Sequence, residues 1–159
     1  MSVYTLGKDF EQWISNELWD DMGISVIEKY SEKLDQRKHG DFRIKLTDGT
    51  IRNVDVKAEN NTPPNFPIEL SQDWTSNDIG WYYTLFGCDE IWYGRYKDNT
   101  IESVYRISMS RLRKVSRSVS KTWQVKKASK NYGDTIIIIA PLDELTKNQI
   151  VEQVYPWKE

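Results

Sequence analysis

The chain has a single cysteine, Cys88, and a single histidine, His39, among its 159 residues. One thiol closes no internal disulfide, and one thiol with one imidazole is too few for a structural zinc site. The longest aliphatic run is Ile136 to Ala140, far short of the roughly 20 residues that cross a bilayer. The first residues, MSVYTLGKDFEQW, have neither the basic start nor the apolar run of a secretory signal. A soluble, cytoplasmic protein without a membrane partner is therefore expected. Internal repeats, low-complexity tracts and Gly/Ser linkers are also missing, and the length suits one domain with its own core. The aromatic content, 7 Trp, 9 Tyr and 4 Phe, excludes a disordered chain.

Acidic residues are absent from one long stretch. Between Ser103 and Gly133 the cations Arg106, Arg111, Arg113, Lys114, Arg117, Lys121, Lys126, Lys127 and Lys130 meet no Asp or Glu. That segment carries +9, and the rest of the chain, with 13 cations against 24 anions, carries −11. Such a division suits a protein that holds a polyanion on one surface and collects cations on another. A solvated helix face is the plainer reading of a charge run.

Apolar residues at Phe10, Trp13, Ile14, Leu18 and Met22 predict an amphipathic helix over residues 8–22, stopped by Gly23. ISVIEKY reads as a short strand and SEKLDQRKHG as a polar connection. Two alternating strands follow, with Phe42, Ile44 and Leu46 on the first and Val54 and Val56 on the second. After the proline-rich loop 60–67 come a strand at IELS, a short buried helix in DIGWYYTLFG, and strands at DEIWYGRY and ESVYRISM. The basic stretch reads as helix with loop, DTIIIIAPL as a strand buried on both faces, and 143–154 as a C-terminal helix. The order predicts a single α/β domain with a mixed central sheet flanked by helices.

The hairpin Gly40–Glu59 holds more charge than strands usually carry: Asp41 on the first strand, Asp55 and Lys57 on the second. A two-residue loop at Asp48-Gly49 would mix apolar and charged residues on both faces. A three-residue loop, Thr47-Asp48-Gly49 with Gly49 left-handed, pairs Phe42 with Val54 and sets Asp41 beside Asp55. Two carboxylates about 5 Å apart repel unless protonated or bridged by a cation. Oxygen ligands with open positions suit Mg²⁺, with Mn²⁺ as a substitute, and the Val56 carbonyl is a further candidate donor. Lys57 would then orient or deprotonate an attacking water, or stabilise charge on a phosphorane.

Asp41, thirteen residues, then Asp55-Val56-Lys57, on a hairpin after an amphipathic helix, resembles the PD-(D/E)xK nuclease superfamily. The resemblance spans about residues 7–60 and implies a restriction-endonuclease-like core (about residues 7–96), with a basic nucleic-acid-binding segment at about 103–133. It implies Mg²⁺-dependent hydrolysis of phosphodiester bonds, by a structure-dependent or non-specific endonuclease acting on DNA in preference to RNA. Small members such as archaeal Holliday-junction resolvases have a glutamate four residues after a glycine in the first helix. Gly7 and Glu11 reproduce that spacing, and Glu17 is the other acid at the edge of the helical stripe. Gly40 stands where the family name has proline, and Asp55 where many members have glutamate. Members also place a polar residue on the next element, for which Gln72 and Glu69 are candidates. The resemblance to resolvases implies a homodimer, and the size suits a phage-type accessory protein. The basic residues from Arg106 to Lys127 would follow phosphates, with Trp123 and Tyr132 stacking or packing. A non-catalytic nucleic-acid- or protein-binding module on the same fold, and an RNA-acting nuclease, are the competing functions.

Overall fold

The computed structural model describes residues 2–73, 78–115, 117–130 and 133–156. Ser2 caps the first helix, α1 (Val3–Trp13), by accepting from the Thr5 amide. One π turn, Ile14–Leu18, carries it into α2 (Trp19–Asp21). Within that turn the Ser15 hydroxyl donates back to the Glu11 carbonyl at 2.8 Å, a competitor for the helical ladder. The extra residue per turn brings neighbouring Leu18 and Trp19 both inward, beside Phe10 and Ile14. A strict 3.6-residue stripe places Trp13 and Met22 there instead, and both are only partly buried.

Next come β1 (Ser25–Lys29), α3 (Lys33–His39), β2 (Phe42–Lys45) and β3 (Ile51–Asn60). The expected polar connection is thus helical in α3, which has no buried residue and so leaves no apolar stripe in the sequence. The chain continues through β4 (Asn65–Asp73), β5 (Asp78–Ile79), α4 (Trp81–Thr84), β6 (Glu90–Lys97) and β7 (Thr100–Ser108). The basic stretch is not one helix. It runs from β7 through α5 (Met109–Arg113) and α6 (Arg117–Ser120) into β8 (Gln124–Lys130). After β9 (Gly133–Pro141), the C-terminal helix is only α7 (Leu142–Lys147). Gln149 then takes φ +60° and the chain enters an edge strand, β10 (Val151–Tyr155).

The main sheet is six-stranded, in the order β1-β2-β3-β6-β7-β10, and mixed, because β3 and β6 run parallel. The second sheet is antiparallel, in the order β5-β4-β9-β8. One face of the main sheet, with Phe42, Ile44, Val54 and Trp92, packs under α1 and α2. Phe10 sits over the bare backbone of Gly94, where a Cβ would stand 2.5 Å from its ring. The other face, with Ile91, Tyr93 and Ile107, packs against Phe66 and Ile68 of β4 and against Trp81. A second sheet therefore covers much of the face expected to carry helices. Ile136 to Ile139 are half-buried rather than fully buried. Alternation turns Ile138 to the core and Ile137 and Ile139 to a cleft at the end of β3. Among the described residues no helix is long and apolar enough to cross a membrane.

Candidate active site

The hairpin register positions the charged residues. Phe42 pairs with Val54 and Lys45 with Ile51. The loop closes over Thr47-Asp48-Gly49, with the Gly49 amide donating to the Leu46 carbonyl at 3.0 Å and Gly49 at φ +85°. The Asp48 carboxylate accepts from the Thr50 amide, which fixes the turn. Continuing the pairing by one residue sets Asp41 opposite Asp55. The Asp41 amide donates to the Val54 carbonyl at 2.9 Å, and its Oδ2 accepts from the Val56 amide at 2.9 Å.

Gly40 makes this approach possible. Its φ of +95° excludes proline, whose ring fixes φ near −65°. A Cβ at Gly40 would stand 2.7 Å from the Val54 carbonyl oxygen. The stretch before it is docked from behind. The His39 ring stacks on Tyr30 at 5.4 Å, and the Gly87 amide donates to the Lys38 carbonyl at 2.9 Å. His39 thus packs the loop instead of facing the carboxylates. Cys88 is buried, with its thiol donating to the Glu90 carbonyl, and burial pushes its pKa up.

Past Val54, β3 leaves β2 and keeps only β6 as a partner, so Asp55 and Lys57 stand at an open edge, in register with Ile91 and Tyr93. Lys57 Nζ lies 2.9 Å from Asp55 Oδ2 and 5.1 Å over the Trp81 ring. Their side chains are 30% and 11% exposed, so the pair is reachable but largely out of water. Burial pushes the Asp41 carboxyl up to about 8, helped by the charge of Asp55 and a hydrogen bond shared with it. Burial alone would lower the Lys57 pKa, but Asp55, Asp41 and Glu69 outweigh it and hold the ammonium above its ordinary value.

These residues line a cavity of about 310 Å³ closed by Trp81 and Leu85 on one side and by Lys33, Gln36 and Arg37 of α3 on the other. Trp81 and the α3 cations were not legible as site residues. Lys57 and Trp81 also border the neighbouring cleft of about 800 Å³, where Glu69 and Lys126 stand on the second sheet. Glu69 Oε1 is buried there without a hydrogen-bond partner.

Other candidates are placed elsewhere. Glu11 pairs with Lys29 at 2.8 Å, over the strand position that faces Phe42, on the sheet face opposite Asp55 and Lys57. Glu17 is exposed and borders a surface hollow with Asn16 and Trp13. The Gln72 side chain lies outside the described residues, as do the Arg117 and Lys130 side chains and Tyr132 as a whole. In the basic stretch, Arg106 donates from Nε to Glu90 Oε2 at 2.7 Å and lies over Trp92. Arg111 donates to the Gln149 carbonyl, and Arg113 to the Tyr82 and Leu85 carbonyls. Lys114, Lys121, Lys126 and Lys127 are exposed, the first two just after α5 and α6 and the last two on β8. Trp123 is buried and donates to Glu144 Oε2, so it packs.

Asp41 and Asp55 fit a divalent cation on chemical grounds. Crowded, partly buried oxygens require a proton or a positive ion between them, and Mg²⁺ commonly takes one or two protein carboxylates with water or phosphate as the remaining ligands. Among the described residues no third Asp, Glu, His or Cys completes a larger metal cluster. The chain matches no protein-family model and no curated protein.

Proposed function

We propose that the chain is a divalent-metal-dependent nuclease on a restriction-endonuclease-like core, hydrolysing phosphodiester bonds in DNA in preference to RNA. One observation carries the reading. Two aspartates are forced together at the open end of a hairpin with a lysine locked to one of them at 2.9 Å, while Asp41 is pushed up to about 8. A structural ion pair needs no second carboxylate, and a solvated strand face has no reason to bury one. The antiparallel β2–β3 pair followed by a parallel β6, with α1 on the reverse face, supports the core assignment.

Asp41 and Asp55 would hold Mg²⁺, or Mn²⁺ in its place. When bound, such an ion supplies Lewis-acid stabilisation of phosphoryl charge and acidifies water. The Val56 amide orients Asp41 by its hydrogen bond. Lys57 acts as a fixed positive charge. Its carboxylate neighbours keep it protonated, so it stabilises negative charge developing on the phosphoryl oxygens and does not take the proton of the attacking water. The Trp81 face under Nζ holds the ammonium in place and excludes water from one side. Glu11 and Glu17 have no part in this site. The extension to a symmetric dimer with two such sites rests on resemblance to the resolvases.

The test is cleavage of labelled duplex, single-stranded, flap and four-way-junction DNA and of an RNA strand, each with Mg²⁺, Mn²⁺ or EDTA. Metal-dependent cutting by the wild type, lost in Asp55→Asn and Lys57→Ala, is the expected result. Cutting that survives in both variants, or no cutting of any substrate, contradicts the proposal.

A further inference from the structure

The elements that flank the carboxylate cavity are unusually open. Among the seven residues of α3 none is buried, and a helix this short is marginal on its own. What holds it are the Gln36 amide donating to the Tyr30 carbonyl, the stacked His39 and the Gly87 amide. Its outward side shows Lys33, Arg37 and Lys38, with Leu34 82% exposed. Lys33 and Arg37 are one helical turn, about 6 Å, apart on the same face, and both line the cavity that holds Asp41, Asp55 and Lys57. Opposite them, α4 and the loop after it expose Tyr83 at 57% and Phe86 at 66%. Lys38 reaches across to Phe86, its Nζ 5.3 Å from the ring centroid. Tyr83 and Phe86 stand outside the cavity lining, and Phe86 also lines the neighbouring surface groove, so cations and aromatic faces lie along the ridge between the two.

The larger surface groove, of about 1040 Å³, is unlike this. Its Arg106 is committed to Glu90, its Arg111 and Arg113 to backbone carbonyls, and Asp89 and Glu152 share its lining. Phosphates approaching it meet three carboxylates, Asp89, Glu90 and Glu152, among the arginines.

We infer that the α3–α4 ridge binds a single-stranded segment of the nucleic-acid substrate beside the cut, with Lys33 and Arg37 on its phosphates and Tyr83 and Phe86 against its bases. Exposed rings serve unpaired bases, because the bases of an intact duplex have their faces already stacked. The positive side chains offset the repulsion that the two aspartates exert on an approaching phosphate. The choice of ligand rests on the nuclease reading of the cavity. The ridge gives that reading a substrate class: strands, flaps or frayed ends in preference to blunt duplex.

Fluorescence anisotropy in EDTA tests the ridge apart from cleavage, with a labelled DNA strand of about 20 nucleotides, the RNA strand of the same sequence and the blunt DNA duplex. At least one strand is expected to bind more tightly than the duplex. Lys33→Glu with Arg37→Glu should weaken strand binding about tenfold and flatten its salt dependence. Tyr83→Ala with Phe86→Ala should weaken strand binding about tenfold while duplex affinity stays within about twofold. Tyr83→Trp with Phe86→Trp keeps the ring faces and should retain strand binding. If the alanine pair melts before the assay temperature, the tryptophan pair decides: binding kept supports the ridge, binding lost overturns it. Lys114→Glu with Lys121→Glu, on the basic stretch, should cost less than the α3 pair. Equal loss from those two pairs, unchanged binding by the ridge variants, a preference for duplex, or no strand binding by the wild type overturns the inference. Strand binding without metal-dependent cleavage sinks the nuclease reading and leaves the ridge standing. Cleavage with ridge variants that bind like the wild type does the reverse.

Discussion

Two charged regions of this chain use charge in opposite ways. On β7 and α5 each cation has its own partner: the half-buried Arg106 has Glu90, and the exposed Arg111 and Arg113 have the Gln149 and Leu85 carbonyls. At the end of the β2–β3 hairpin the balance is broken. Two aspartates share one lysine, and the carboxyl that lacks it is pushed up to about 8. On β7 and α5 one matched ion pair and two arginine–carbonyl bonds tie distant segments of the fold together. Mismatched charge at the hairpin stores a demand for a proton or a cation, and it does so beside a cavity that ligands can reach. The number of charges in a stretch is therefore a poor guide to where chemistry happens.

Substitutions at the two regions should separate activity from stability. The largest effect is expected at the hairpin: Asp55→Asn lowers the cleavage rate by roughly 10³-fold and Lys57→Ala by roughly 10²-fold, read by single-turnover assays. Asp55→Asn should lower Tm little, because it relieves the crowding of the two carboxylates as it removes a contact, whereas Lys57→Ala leaves Asp55 without its cation and is compared at equal folded fraction. Gly40→Ala belongs with them for a different reason. Its Cβ would collide with the Val54 carbonyl at a left-handed φ, so a loss of about 2 kcal/mol in urea melts is expected along with activity.

Arg106→Ala should spare the chemistry that Lys57→Ala removes. It leaves the buried Glu90 carboxylate without its cation, at a cost of about 2 kcal/mol, with the cleavage rate of the folded fraction little changed. A rate that falls as far as in Lys57→Ala would erase the distinction between the two regions.

The pH dependence sharpens it further. Asp41 binds its proton up to about pH 8 in the fold, whereas an unfolded aspartate releases it near 3.8. Between those values the native state holds the extra proton, so this group's contribution to stability is present at low pH and lost as pH rises towards 8. In EDTA the wild type should lose about 2 kcal/mol over that range relative to Asp41→Asn, the full linkage being discounted because the group is only partly buried. Added Mg²⁺ should offset the loss, increasingly so at higher pH, because the ion takes the ionised carboxylate. The smallest effect is expected at Lys121→Ala, exposed on the basic stretch, where Tm should stay within error.

The hairpin was legible because everything that sets it is local. The alternation of Phe42, Ile44, Val54 and Val56 and a loop glycine at 49 leave one sensible register, and that register places Asp41 beside Asp55. What was not legible depends on distance. Arg111 and Arg113 find partners 38 and 28 residues away, so a run of cations in sequence looked like a surface although its members tie elements together. Glu11 kept the spacing from Gly7 that resembles the resolvases, yet α1 lies on the far face of the sheet, with Glu11 facing Lys29. The single π turn shifted the helical phase and hid Trp19, which periodicity counted at 3.6 residues per turn does not reveal. At the C-terminus the acids of the first turn, Asp143 and Glu144, did mark a helix start. Nothing local announced that Val151 and Val154 would leave it to extend the sheet beside β7. α3 escaped notice because an exposed helix carries no pattern to read, and α4 was expected buried, whereas Tyr83 and Phe86 beside its buried Trp81 are exposed.

Mn²⁺ binding by titration calorimetry at about pH 8 tests the central claim most directly, with the wild type beside the Asp41→Asn/Asp55→Asn double variant. Saturable binding by the wild type that disappears in the double variant is the predicted result. Equal binding by both proteins, or no binding by the wild type, would show that the crowded carboxylates are not a metal site.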